Sequence, residues 1–314
     1  MKGGKMALVH AVRSWRDALI LRTSPAFSSE GKNRSVGENR AASHKAPYAP
    51  RGYMERAQGL ATAWQSLEQH WRIPTTGVKM PRTPSYGILR WIISPLLRPL
   101  VNTKISGVHH IPRKGPVILA ANHLSHVDPI MVISSSRRPV RYLAKDGHFR
   151  NAALRTLMRA TGQIETKRDK GGEQALSNAA DVLEADAALG IFPEGTRSKR
   201  TEAPFLLPGK TGAARLAASY PHAVVVPIAL QGTRDVMEPQ RHKWPRLYRR
   251  ITMNVGKGVT WLEWLGHEHG GAVTSEDLEQ MATLEDHEIR AQLAQLYRKF
   301  TDQLMKSMLE LGAP

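Results

Sequence analysis

From Pro116 onward, short apolar runs alternate with stretches of helical periodicity, and this alternation restricts the possible folds more than any other feature of the chain. "PVILAAN" (116–122), "VRYLA" (140–144), "GIFP" (190–193), "AVVVPIAL" (223–230) and "ITMNVGKGV" (251–259) read as strands. Helical stretches fall between them near 128–136, 150–160, 172–187 and 210–219. A last one is expected over 275–311, opened by Thr274 and Asp277 in capping-box spacing. The alternation predicts an α/β fold, a central, mostly parallel (mixed) sheet flanked by helices, with chemistry at the carboxyl ends of the strands.

The part before this pattern differs in character. Residues 1–51 are dominated by Ser, Gly, Pro and basic residues after an Arg-bearing apolar stripe at Leu8, Val12, Trp15 and Leu19, which suits either a transit peptide or an overlong gene start, since Met54 and Met80 offer later initiation points. Leu60, Trp64, Leu67 and Trp71, at spacings of four, three and four, predict one amphipathic helix ahead of the proline-marked linker 74–84. The expected division is a poorly structured basic extension over 1–79 and a working domain over 80–314. "GILRWIISPLLRPLV" (87–101) mixes Trp and Ile with flanking arginines and two prolines, which suits a helix lying in a membrane interface or one packed on the core.

Charge and cysteine count narrow the function. The net charge is +18 and no cysteine is present, which removes disulfides, thiolate metal sites and cysteine nucleophiles and favours anionic partners. Low aromatic content, 6%, and the lack of a recognisable helix-turn-helix or RNP block after residue 80 argue against nucleic acid. The remaining anionic partners are membrane surfaces and phosphorylated small molecules.

"AANHLSHVDPIMV" (120–132) sets Asn122, His123, His126 and Asp128 where the strand "PVILAA" gives way to a helix, with Asp128 expected as N-cap and Pro129 at the first helical position. A spacing of five across a loop lets the Asp128 carboxylate reach back to His123, fix its tautomer and leave the other ring nitrogen as a general base. Two other readings share these residues: a cap beside a polar strand end, and a metal site, for which HxxHxD has the wrong spacing. "FPEGTRSKR" (192–200) also follows an apolar run. There Gly195 permits a close turn and Arg197 offers a planar fork for phosphate, with Lys199 and Arg200 nearby; Glu194 is suited to orienting Arg197 or meeting a substrate hydroxyl.

"HLSHVD" in H-x4-D form, with "FPEGTR" about seventy residues on, resembles the PlsC-type glycerolipid acyltransferases, the lysophosphatidate acyltransferase family. The resemblance runs from about Tyr86 to Val259 and includes "GQIETKR" (162–168), "PGKTGAARLA", "VVPIAL" and "VRYLAKDGHF", with Lys145 as another possible anion contact. Glu165 and Thr166 depart from the apolar residues or proline usual in the second block, and "SKRTEAPFLLPGK" from the shorter acidic turn often found after the third. The resemblance implies His123 and Asp128 as the catalytic dyad, and Arg168, Glu194, Gly195, Thr196, Arg197 and Lys210 as the substrate-phosphate site, with no metal. It implies transfer of a fatty acyl group from acyl-CoA or acyl-carrier protein, as co-substrate and with no resident cofactor, to 1-acylglycerol 3-phosphate. Glycerol 3-phosphate or another lysolipid is the alternative acceptor, and a non-catalytic basic protein binding membrane or nucleic acid the alternative class. The expected location is the cytoplasmic face of the membrane, peripheral or monotopic, on an anionic surface.

Overall fold

A computed structural model describes residues 51–80, 83, 86–87, 102–145, 155–156, 158, 161–166, 171–238, 241–242 and 244–314. The extension 1–50, the segment 88–101, most of the expected helix 150–160 and Arg168 lie outside the described residues. Eight strands form one sheet: β1 (Asn102–Ser106), β2 (Val117–Ala121), β3 (Val140–Lys145), β4 (Ile164–Thr166), β5 (Ala188–Ile191), β6 (Val224–Gln231), β7 (Arg250–Val255) and β8 (Val259–Thr260). Their order is β1-β7-β6-β2-β5-β3-β4, with β8 beside β6. All neighbours are parallel except that β7 and β8 run antiparallel to β6, so the sheet is mixed but mostly parallel, as the alternation predicts.

β2 lies at the centre, and its side chains are shared between two apolar layers. Ile118 and Ala120 join Leu189, Val225 and Ala229 on one face, whereas Val117, Leu119 and Ala121 join Val226, Ile228 and Leu230 on the other. A strand buried on both faces needs an uninterrupted apolar run, which is what "VILAA" supplies. Helices cover both sides: α3 (Asp128–Ser135) buries Met131 and Val132 in the second layer, and α4 (Gly171–Glu184) and α5 (Gly212–Ser219) pack on the first. α6 (Thr233–Val236) follows β6 directly.

Pro227 sits in an interior strand because β6 changes its outer neighbour there. β8 pairs with Val224 and Val225, β7 with Ile228 onward, and between them the Pro227 carbonyl accepts the Gly256 N–H at 2.8 Å. A missing N–H costs nothing at such a break. For the same reason "ITMNVGKGV" is two strands rather than one.

The helix expected ahead of residue 79 packs on the sheet domain. α1 (Arg51–Ser66) and α2 (Glu68–Trp71) bury Leu60, Trp64, Leu67 and Trp71 in the first apolar layer, so the residues just before the proposed boundary help build the core after it. Trp64 stacks on Trp71 at 5.7 Å and meets Trp261 of α7 (Trp261–Leu265) at 5.4 Å. The Trp64 indole N–H donates to the Ala218 carbonyl at 3.1 Å, and the Ser219 hydroxyl donates to the Trp71 carbonyl at 2.6 Å, tying both helices to α5. Beyond them, Asp181 of α4 accepts the backbone N–H groups of Thr76 and Gly77, so residues expected to form a linker are bound to the domain.

The carboxyl-terminal helix is corrected. α8 (Ser275–Met281) starts at the expected Thr274–Asp277 capping box, but the chain stops after Met281 and restarts as α9 (Asp286–Glu310) through a second reciprocal cap between Glu285 and Glu288. The break lets Met281 and Ile289 both reach the aromatic core around Trp261, Trp264 and Phe300. Among the described residues, no helix is long and apolar enough to cross a membrane.

Candidate active site

β2 and β5 are parallel neighbours with Ala120 opposite Ile191, so the chain leaves both strands at the same edge of the sheet. That register brings "NHLSHVD" and "FPEGTRS" together across a gap of seventy residues. Asn122 fixes the edge: its amide donates to the Leu230 carbonyl at 2.9 Å and its side-chain oxygen accepts the Leu230 N–H at 2.7 Å, linking β2 to β6 where the ladder would otherwise end.

The His123 Nδ1 lies 2.9 Å from the Asp128 Oδ2. Asp128 is 0% exposed, and the same oxygen accepts the backbone N–H groups of Leu124 and Ser125, each at 2.6 Å. This corrects the expected capping role. Asp128 is the first residue of α3, with Pro129 next, and its carboxylate reaches backward into the loop instead of forward to the helix's own amides. A buried carboxylate held by three donors is strongly oriented. With Nδ1 committed to Asp128, the His123 Nε2 makes no hydrogen bond to another described residue, and the side chain keeps 17% of its exposure. His126, between them in the chain, is exposed.

Two features of the second motif hold the imidazole in place. The Phe192 ring stacks on it at 3.9 Å with planes 9° apart, and Tyr142 of β3 stacks behind Phe192 at 5.1 Å. Gly190 makes room for Tyr142, because a Cβ there would collide with the ring. The backbone of His123 is also held on both sides: its N–H donates to Glu194 Oε1 at 2.6 Å, and its carbonyl accepts the Ser198 N–H at 2.9 Å.

Glu194 thus braces the loop that carries His123. It is 2% exposed and its second oxygen accepts the Leu207 N–H at 2.9 Å, so both oxygens accept backbone amides. Burial raises its pKa to about 7, opposed by those two N–H bonds. The sequence carries no sign of this brace, which depends on a residue seventy-one positions away.

Gly195, Thr196 and Arg197 form the exposed turn between these fixed points, with Gly195 and Thr196 open to solvent and Arg197 half-buried. Gly195 has φ +70°, a left-handed backbone that favours glycine, and an added Cβ would lie 3.0 Å from the Lys210 Nζ. The Lys210 ammonium thus rests against this turn, and its backbone N–H donates to the Pro193 carbonyl at 2.7 Å. Lys210 and the half-buried Arg197, one of whose terminal guanidinium nitrogens is buried, supply two basic side chains at or against this turn, a pairing of residue types suited to an anionic group. Among the described residues, no group of three or more His, Asp or Glu side chains is placed to hold a metal ion.

Comparison with known proteins places this stretch. Residues 102–231 match the Acyltransferase family, a narrower span than the 86–259 expected from the motifs. A chloroplastic 1-acyl-sn-glycerol-3-phosphate acyltransferase, BAT2 of Brassica napus, is 32% identical over 142 residues, covering 44% of this chain and 40% of the relative. A 1-acyl-sn-glycerol-3-phosphate acyltransferase of Borreliella burgdorferi is 31% identical over 97 residues, covering 30% and 39%. The chain therefore spans about two fifths of the length of these curated relatives. The crystal structure of the 1-acyl-sn-glycerophosphate acyltransferase PlsC from Thermotoga maritima aligns with TM-score 0.47 and 15% identity over 80% of this chain and 97% of that one. Residues 102–231, which contain both motifs and the strands that present them, are thus the part of the chain that is similar to the Acyltransferase family.

Proposed function

We propose that this chain transfers a fatty acyl group from acyl-CoA or acyl-carrier protein to the free hydroxyl of 1-acylglycerol 3-phosphate, forming phosphatidate. The observation that carries this reading is the His123–Asp128 pair at 2.9 Å, in a loop bound through Glu194 and Ser198 to the turn that carries Arg197 and meets Lys210. In the proposed step His123 Nε2 takes the proton of the acceptor hydroxyl as its oxygen attacks the thioester carbonyl. The carbon–sulfur bond then breaks and the thiolate leaves, needing little acid help. The acyl donor is consumed as a co-substrate, and no resident cofactor enters. Arg197 and Lys210, with Arg168 as the further ligand implied by the motif, clamp the acceptor's phosphate and so fix its hydroxyl at the base. The reaction is assigned to the cytoplasmic face of an anionic membrane, where acceptor and product reside.

The test is an assay of the purified chain with lysophosphatidate and an acyl-CoA, with the product identified by mass. Phosphatidate is the expected product, and His123→Ala should cut kcat by about 10² to 10⁴ at unchanged folding. Unaltered turnover in that variant would remove the dyad. Acylation of glycerol 3-phosphate or another lysolipid in place of lysophosphatidate would reassign the acceptor.

A further inference from the structure

Residues 241–250, "RHKWPRLYRR", contain five Lys or Arg and no Asp or Glu, and they take no part in the chemistry above. Residues 244–250 are all exposed, with Trp244 at 82%, Leu247 at 46% and Tyr248 at 76%. Trp64, Trp71, Trp261 and Trp264 are by contrast buried in the core. Tyr248 adopts φ +61°, so the turn holds a bulky side chain outward in a conformation that non-glycine residues rarely take. Arg241 pairs with Glu238 at 3.5 Å, whereas Arg246, Arg249 and Arg250 make no ion pair with a described residue.

The loop is anchored next to the candidate active site. The Arg246 N–H donates to the Val236 carbonyl at 2.7 Å, and the next carbonyl, Met237, accepts the Ser125 hydroxyl of the His123 loop at 2.7 Å. Since β7 begins at Arg250 and runs antiparallel to β6, with Thr252 opposite Gln231, the loop emerges at the edge of the sheet that presents Asn122 and His123.

We propose that residues 244–250 are a membrane-docking loop for anionic phospholipid bilayers, seating Trp244, Leu247 and Tyr248 among the headgroups while the arginines bind lipid phosphates. Three large apolar side chains interleaved with unpaired arginines match an interface that is apolar below and negatively charged above. An aromatic ring exposed to water gains by moving to that boundary, where its polar atom stays hydrated. The loop so seated turns the open side of His123 toward the bilayer. That consequence rests on the proposed acyl transfer, but the binding does not.

Flotation of the full chain with vesicles, without substrate, tests this. Wild-type protein should bind vesicles of phosphatidylcholine mixed with phosphatidylglycerol, bind phosphatidylcholine alone weakly, and detach as salt rises. Trp244→Ser with Leu247→Ser and Tyr248→Ser should weaken binding roughly tenfold or more, and Arg246→Glu with Arg249→Glu by roughly fivefold or more per residue. Each variant should keep the wild-type unfolding midpoint, because these side chains lie outside the core. In the wild-type chain, mixed vesicles should slow tryptic cleavage after Arg246 and Arg249, a readout independent of any variant. Binding unchanged in both variants, equal binding to both vesicle types, or capture of an acidic acyl-carrier protein by this loop without vesicle protection would overturn the proposal. Loss of acyl transfer with vesicle binding intact would count against the function proposed above and leave the loop assignment standing.

Discussion

The loops leaving β2 and β5 lie side by side at one edge of the sheet, yet one is closed and the other open. In the first, Asp128 is buried and one of its oxygens gathers three donors, while both backbone groups of His123 are bound by the second motif. In the second, Gly195 and Thr196 are exposed, Arg197 is half-buried, and the exposed Lys210 rests against the turn. If His123 is the base, as proposed, it must be held near the geometry of proton transfer, which favours a buried, fully bonded loop. A site for a doubly charged phosphate draws its strength from charge and donors, and needs an opening through which the ligand can enter.

This contrast is open to attack at its strongest point first. Asp128→Asn keeps the shape but removes the charge and offers N–H groups where His123 Nδ1 and two amides now find an acceptor. It should lower kcat by about 10² to 10³ with KM little changed, and a loss confined to KM would show that the closed loop serves binding. Glu194→Gln comes next, since one of its two bonded backbone amides would face a donor. A kcat loss of about tenfold is expected, again without a matching KM change.

The same variant carries a signature in pH. Glu194 ionises near pH 7 in the folded chain against about 4.5 unfolded, so between those values the folded state retains a proton that the unfolded chain has released. Stability should therefore fall as pH rises through that window and level off above it. Thermal unfolding across pH should show this slope in the wild type and a flatter profile in Glu194→Gln.

Arg197→Lys probes the open loop. Replacing a planar fork by a point charge should raise KM for the phosphorylated acceptor about tenfold and spare kcat, and an equal loss with an uncharged acceptor would contradict the phosphate role. Trp71→Ala should leave the kinetics of the folded enzyme untouched while costing about 3 to 5 kcal/mol of stability, measured by denaturant unfolding. A selective kinetic defect there would mean that the tryptophan layer and the active edge are coupled.

What the sequence disclosed follows burial. β2 and β6 are sealed on both faces, so their apolar runs stood out, and the H-x4-D spacing was enough to place His123 against Asp128. β1, "NTKIS", was invisible because it is mostly exposed and carries no alternating pattern, and β4 has only three residues. The break between α8 and α9 lacks glycine or proline, and the helical pattern continues across it. The packing of α1 could not be read either, since an apolar stripe states that a partner exists and not which one. Glu194 shows the limit at the site itself: a carboxylate two residues before a phosphate-suited arginine looked like a ligand, and only proximity to the His123 amide reveals a brace.

That brace bears on attempts to redesign acceptor choice. Glu194 and Ser198 bond the two sides of the His123 peptide, and only Gly195, Thr196 and Arg197 lie between them. The "EGTRS" segment is thus not an interchangeable cassette. Under the proposed function, a graft that replaces all five residues would swap the support of His123 together with acceptor recognition, whereas libraries confined to Thr196 and Arg197 would vary recognition while the His123 loop stays put.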